Sequence, residues 1–267
     1  MKLLNTRIIV YLIALFAVLA AMVSLRQCSS PNSDRESGGD TIDVSIEYSP
    51  LSCYMYDDTL GGFEYDLIRA MARHGGATIK YHPSVALHSS IEGLEKGTYD
   101  VLIAQIPATT DMKEQFLFTD AVYLDRQILV QLRDSVTREP RARSILDLAG
   151  DTIRVVKDSP MEDRIHNLIR EIGDTIYIDS EEEYTGEQLV MMVATGQVKY
   201  AVVNQSTAAA LAGRYPLLDI GQSVSFTQFQ SWALRKTDSE LCDSLNSWLR
   251  AVKASGEYDA ISAKYFK

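Results

Sequence analysis

Cysteine and histidine are scarce in this chain. Three cysteines and four histidines occur in 267 residues, and no CxxC pair is among them. His74, His82, His88 and His166 lack the spacing of a zinc site. A disulfide-built scaffold and a structural zinc are therefore excluded, and no metal is expected. With 15 glycines and 7 prolines the chain is neither low-complexity nor collagenous. Basic residues are outnumbered, 26 against 36 acidic ones, for a net charge of −10. An acidic chain lacks the basic face of a general phosphate-backbone binder, so no nucleic-acid partner is expected. The sequence also has no nucleophile elbow, P-loop, dinucleotide fingerprint or HExxH. It does not read as an enzyme, and no cofactor is expected.

What is present begins with a leader. No charge occurs from 8 to 25, and Lys2 and Arg7 stand before this run. That is the pattern of an export signal. As a helix the run would be roughly 27 Å long at about 1.5 Å per residue, close to the thickness of a bilayer core. No small-x-small cleavage pattern follows it. Cys28 stands where a lipoprotein would carry its lipid, but Leu25, Arg26 and Gln27 are not the small residues of a lipobox. Lipidation at Cys28 and an uncleaved signal anchor both remain open. Either one places the rest of the chain in the periplasm, held at the membrane through its N-terminus. Residues 1–27 are then the signal or anchor, and the polar stretch 28–40 is a flexible tether. Cys53 and Cys242 either pair, as export permits, or sit apart as buried thiols.

From residue 41 the pattern is that of an α/β protein. Alternation predicts a strand over 42–48. Helix spacing follows over 63–74, with Leu67, Ile68 and Met71 on one face and Gly75-Gly76 as the stop. A strand over 79–82, a helix over 89–96 and an apolar strand over 101–104 complete a first set. The second set has a helical turn at 145–148, strands at 152–156 and 175–178, helices at 160–172 and 187–194, and an apolar strand at 200–203. Each continuous apolar run reads as a strand covered on both faces. The segments LEKGTYDVLIA (94–104) and VATGQVKYAVV (193–203) share helix, glycine stop and buried strand. Two α/β lobes of related build are implied. A last helix over 239–252 carries Leu241, Leu245, Trp248, Leu249 and Val252 inward.

Five segments in order carry a resemblance: GGFEYDLIRAMARHGG (61–76), LEKGTYDVLIA (94–104), TTDMKEQFLFTDAVY (109–123), SILDLAGDTIRV (144–155) and SGEYDAISAKYF (255–266). Together they resemble the extracellular solute-binding protein family 3, the amino-acid-receptor type of ABC importers. Residues 215–236 are more similar to the non-catalytic N-terminal module of lytic murein transglycosylases of the membrane-bound F type. On that reading a binding module without the hydrolase is expected. The resemblance implies a two-lobed periplasmic-binding-protein-like fold of type II, its lobes joined by two crossover strands. One lobe would comprise 41–131 plus 227–267, the other 132–226. It implies a monomer that takes a small-molecule ligand between its lobes, with an ABC permease or cell-wall enzymes as partners.

The same resemblance implies which residues face the ligand. Members that bind free amino acids clamp the carboxylate with an Arg and hold the ammonium with an Asp. The matching positions here are Met112 and Asn204, so both charges are missing. Lys113 lies beside Met112, but lysine cannot make the forked contact. A free α-amino acid is therefore not the expected ligand. Candidate ligand contacts are Tyr48, Tyr54, Gln105, Thr109, Thr110, Ser159 and Asn204. Glu64 and Asp66, in the first turn of a helix, read as partners of its dipole.

Overall fold

A computed structural model describes residues 41–266. The leader run and Cys28 lie outside them. Strand β1 (Thr41–Glu47) buries Ile42, Val44 and Ile46. It pairs in parallel with β4 (Thr78–Ser84) on one side and β5 (Val101–Ile103) on the other, with Val44 opposite Val101. Between β1 and β4 come a small hairpin, β2 (Tyr54–Tyr56) and β3 (Thr59–Gly61), and helix α1 (Phe63–Gly75). Helix α2 (Leu87–Glu95) leads to β5. Beyond β5 lie α3 (Thr110–Gln115), β6 (Phe116–Phe118) and β7 (Tyr123–Asp125).

The second sheet starts with β8 (Gln127–Leu132). It continues with β9 (Thr152–Val156), helix α4 (Pro160–Ile172), β10 (Tyr177–Glu181), helix α5 (Gly186–Ala194) and β11 (Tyr200–Asn204). Helix α6 (Gln205–Ala212) and β12 (Leu218–Ser223) follow. The strand order is β10-β9-β11-β8-β12, parallel from β10 to β11 and antiparallel from β11 onward. Strands β8 and β11 are covered on both faces. Leu129 and Val202 face a core with Ile153, Ile165 and Leu168. Ile128, Val130, Ala201 and Val203 face another with Leu189, Val190 and Val193. The apolar runs of these strands thus have the physical cause expected of them.

The chain then returns through β13 (Gln228–Gln230) and β14 (Ala233–Arg235) to helices α7 (Ser239–Ala254) and α8 (Glu257–Tyr265). Strand β14 enters the first sheet between β5 and β6, antiparallel to both. Leu245, Leu249 and Val252 of α7 pack in one core with Val44, Ile46, Phe63, Leu67 and Met71. The two passages between lobes run as an antiparallel ribbon, β7 against β13, with Phe229 opposite Leu124. The first passage ends at Gln127, because all of β8 pairs with β11 and β12. This moves the boundary expected at 131/132 earlier by about five residues. No turn residue marks the change. The chain swings at Arg126, where the Asp125 carboxylate accepts from the Arg126 N–H and from the hydroxyl of Ser206. Among the described residues, Cys53 and Cys242 are both free and buried in the first lobe.

Helix α1 shows how tightly the first lobe is fitted. Gly62 precedes it at φ 131°, and a Cβ there would lie 2.3 Å from the Ser52 carbonyl oxygen. At its other end, a Cβ on Gly75 would come within 2.0 Å of the Trp248 indole of α7. Asp66 accepts from the hydroxyl of Tyr265 at 2.7 Å and pairs with Lys264 at 2.8 Å, so it ties α1 to α8 as well as facing the helix dipole. Glu64 departs further from expectation, with 1% exposure. Its carboxyl accepts from the Ser52 hydroxyl and from the Trp232 indole N–H. Burial is the largest influence on it and pushes its pKa up from 4.5 to about 7.

Two outcomes follow. Replacing Gly75 by Ala forces the indole off α1 and should lower stability by about 1–3 kcal/mol, read as a fall in the denaturant midpoint at unchanged slope. An unchanged midpoint would show that the helices separate freely. Because the folded pKa of Glu64 lies above the unfolded one, its contribution is greatest below pH 4.5 and is lost as pH rises towards 7. The loss amounts to about 3 kcal/mol at 1.36 kcal/mol per pKa unit. Glu64→Gln should remove that slope, and equal pH dependence in the two proteins would contradict the assignment.

Candidate interlobe binding site

A cavity lies between the lobes where the parallel strands end, the usual ligand position in open α/β sheets. The first lobe contributes Glu47 from the end of β1, Ser84 to Leu87, Ser90, and Ala104 to Ile106 after β5. The second contributes Val156, Ser159 to Met161, Thr185, Gly186, Val202 to Asn204, and Thr207. The lobes stand close, and the cavity measures about 50 Å³. That is room for roughly three to five waters at about 10–15 Å³ each.

Gln105 spans the gap and is 6% exposed. Its side-chain oxygen accepts from the Thr207 hydroxyl at 2.6 Å, and Ser206 Oγ, whose proton goes to Asp125, lies 3.4 Å from it. Its amide nitrogen donates to Ser49 Oγ at 3.5 Å. Its backbone carbonyl accepts from Asn204 Nδ2 at 2.8 Å, and its backbone N–H donates to Glu47 Oε2 at 3.2 Å. One residue of the first lobe therefore gathers two residues of the second. At the lip, His88 Nδ1 lies 2.8 Å from the Asp158 carboxylate, and His88 Nε2 lies 3.1 Å from Glu92. These groups are half exposed, so the contact adds little to closure.

Of the expected contacts, Gln105, Ser159 and Asn204 meet at this cavity. Ser159 is the N-cap of α4, accepting from the Glu162 N–H, with Pro160 in the first helical position. Its hydroxyl proton goes to the Val156 carbonyl. Asn204 is 1% exposed, and its Oδ1 has no partner. Tyr48, Tyr54, Thr109 and Thr110 do not line the cavity. Tyr48 is 42% exposed beside a bridge to Cys53. Tyr54 belongs to the β2–β3 hairpin, where its ring covers Gly61. Thr109 caps α3 by accepting from the Met112 N–H, and Thr110, the first residue of that helix, is exposed. The loop after β5 carries both threonines away from the gap. Met112 packs against the cluster of Leu94, Leu102 and Phe116.

Sequence reasoning missed Glu47, Thr185 and Thr207. Alternation in TIDVSIE assigns Glu47 to a polar, outward face. Yet Ser45 on that face is fully buried, its hydroxyl donating to Ser90 of α2 at 3.1 Å. The helix covers the polar face and leaves Glu47 at the strand's open end. Burial pushes the Glu47 carboxyl above the usual carboxylate range, the Gln105 N–H opposes this, and Glu187 adds to it. Placement of Glu47 at the C-terminal end of a parallel strand was the available signal.

Known proteins share this arrangement. The profile of the bacterial extracellular solute-binding proteins, family 3, matches residues 41–267. Membrane-bound lytic murein transglycosylase F of Aeromonas hydrophila subsp. hydrophila is 28% identical over 276 residues, covering all of this chain and 54% of the relative. The chain thus spans about half the length of that relative. The arginine-binding extracellular protein ArtP of Bacillus subtilis is 26% identical over 259 residues, covering 94% of this chain and 97% of ArtP. An ancestral arginine-binding protein solved with arginine superposes with a TM-score of 0.73 at 25% identity, over 85% of this chain and 98% of that one. An ancestral amino-acid-binding protein described as a precursor of cyclohexadienyl dehydratase shares the fold, with a TM-score of 0.71 at 22% identity over 85% and 96%. With the whole two-lobed region matched, this chain belongs to the bacterial extracellular solute-binding proteins, family 3.

Proposed function

We propose that the chain is an exported, membrane-tethered binding protein that takes a small polar ligand between its lobes for an ABC importer, and that this ligand is not a free α-amino acid. The observation that carries the reading is the make-up of the cavity wall. No arginine or lysine stands among the residues that line it. A carboxylate entering there would lose its water without a charged partner, which is costly. Asn204 occupies the place where an acid would hold an ammonium, and its side chain is already committed to Gln105 through Nδ2. The β7–β13 ribbon supplies the two connections about which such lobes close.

A second reading has its own support. Relatives of the transglycosylase F type recur among the matches, and the chain covers 54% of the first of them. On that reading the two lobes sense or bind cell-wall fragments alongside wall enzymes, and catalysis lies elsewhere. Cavity size separates neither reading, because opening at the ribbon would admit a larger ligand.

The test is a calorimetric and thermal-shift screen of the twenty amino acids beside short wall-derived peptides and muropeptides. Each missing charge-assisted contact is worth roughly 1.5–3 kcal/mol. Loss of both weakens an amino acid by on the order of two to four decades at about 1.4 kcal/mol per decade. All twenty should bind no better than millimolar. One micromolar amino acid would overturn the specificity argument. Micromolar muropeptide binding would select the second reading over the first.

A further inference from the structure

The hydrogen-bonding capacity of the cavity wall is lopsided. Every side-chain hydroxyl in it donates within the protein. Ser84 and Ser90 donate to the Ala86 carbonyl at 3.3 and 3.2 Å, and Ser159 to that of Val156. Thr207 donates to Gln105 and Thr185 to Gln188 at 3.4 Å, while the amides of Asn204 and Gln105 each donate one N–H, to the Gln105 carbonyl and to Ser49 Oγ. Two acceptors are far less well served. The Glu47 carboxylate receives one N–H, from Gln105. Asn204 Oδ1, on a side chain 99% buried, receives none. Both groups are held against the same Gln105 backbone, Glu47 on its N–H and Asn204 on its carbonyl, so they flank one corner of the cavity.

Charge points the same way. Among the described residues, Glu47 is the sole ionisable one lining the cavity, with no lysine, arginine or histidine to balance it. An acid left in this state, beside an orphaned amide oxygen, is costly to bury and is satisfied by a ligand that brings both positive charge and N–H bonds. The rest of the wall is apolar, with Val85, Leu87, Ile106, Met161 and Val202 among its members. No aromatic ring lines it, so it lacks the cage that would favour a quaternary ammonium.

Resting on the reading that the cleft takes a solute, we propose that this solute is a small primary or secondary amine cation with an apolar body and no carboxylate, its ammonium held by Glu47 and Asn204. Specificity then comes from two opposed features. Acceptors at one corner reward N–H donors, and the absence of basic side chains rejects the carboxylate of an amino acid with the same body.

Matched probes test this with the purified full chain. 3-Methylbutylamine and phenethylamine have the bodies of leucine and phenylalanine without the carboxylate, 3-methylbutanol lacks the charge, and trimethylphenethylammonium lacks the N–H. Calorimetry should show at least one of the two amines binding tenfold or more tighter than its amino acid and than the probe that shares its body, the alcohol for 3-methylbutylamine and the quaternary ammonium for phenethylamine. Glu47→Gln should weaken that amine about 10–100-fold, the equivalent of one charge-assisted bond, without lowering the melting temperature of the free protein. Asn204→Leu should weaken it by a smaller factor. Binding of the amine that survives Glu47→Gln unchanged would overturn the proposal. So would a clear preference for the alcohol, or silence from both amines. In those cases the solute-binding reading is judged separately, by whether the broader screen of amino acids and wall fragments yields any ligand at all.

Discussion

Closure of the two lobes rests on one residue, Gln105. It stands just past β5, the central strand of the first sheet, and meets Asn204 through its backbone carbonyl and Thr207 through its side-chain oxygen, at the end of β11 and the start of α6. Both ends of this bridge are set by strands whose cores are fully buried, so neither can shift without disturbing a sheet. The same residue positions Glu47 through its backbone N–H. Gln105 therefore fixes the distance between the lobes and the arrangement of acceptors in the gap.

Below that bridge lies an unusual concentration of buried acid. Glu47 raises the proton affinity of Glu64, Glu187 raises that of Glu47, and Tyr123 feels both Glu47 and Glu64. Burial is the largest influence on each. The closed surrounding of Glu64 favours its neutral, protonated state within the first core and outweighs its two side-chain donors, which favour the charged form. Glu47 has one backbone donor and an open side towards the cavity. Two glutamates on neighbouring elements thus have different fates. One is a structural acid within the core, and the other is a free acceptor where a ligand would stand. A cation entering the cleft would relieve Glu47 directly and its neighbours through it.

Much of the architecture was legible because its signals are local. Ser159, Pro160 and Gly173 punctuate α4, and the helix runs from Pro160 to Ile172 as the spacing predicts. The turn Ile145–Leu148 carries a capping box from Ser144 and Asp147. The runs at β5 and β11 read as buried strands because nothing polar interrupts them. Elements that depend on tertiary partners did not show. Helix α6, QSTAAALA, has little amphipathic pattern and follows β11 without a loop. Strand β8 passes from the ribbon into the second sheet with no turn residue, so the lobe boundary had no mark in the sequence. The site divides in the same way. Gln105, Ser159 and Asn204 lie at the ends of legible elements, and each faces the cavity. Tyr48, Tyr54, Thr109 and Thr110 were expected from the resemblance, and the paths of the loops around them are set by packing that a motif match does not encode.

The bridge also bears on how a ligand would be admitted. The bonds from Asn204 and Thr207 to Gln105 are neutral, and each is worth about 0.5–1.5 kcal/mol net. Together they hold the lobes closed by roughly 1–3 kcal/mol before the entropy of ordering the ribbon is set against them. That is a modest bias, within the range that ligands commonly shift between conformers. A ligand that leaves the bridge intact has only Glu47 and Asn204 Oδ1 to gain, and both are otherwise wasted acceptors. A ligand that breaks it must replace two hydrogen bonds as well. The arrangement therefore favours a compact donor that fits beside Gln105 over a bulky one that displaces it, and a larger ligand bears the cost of opening that contact.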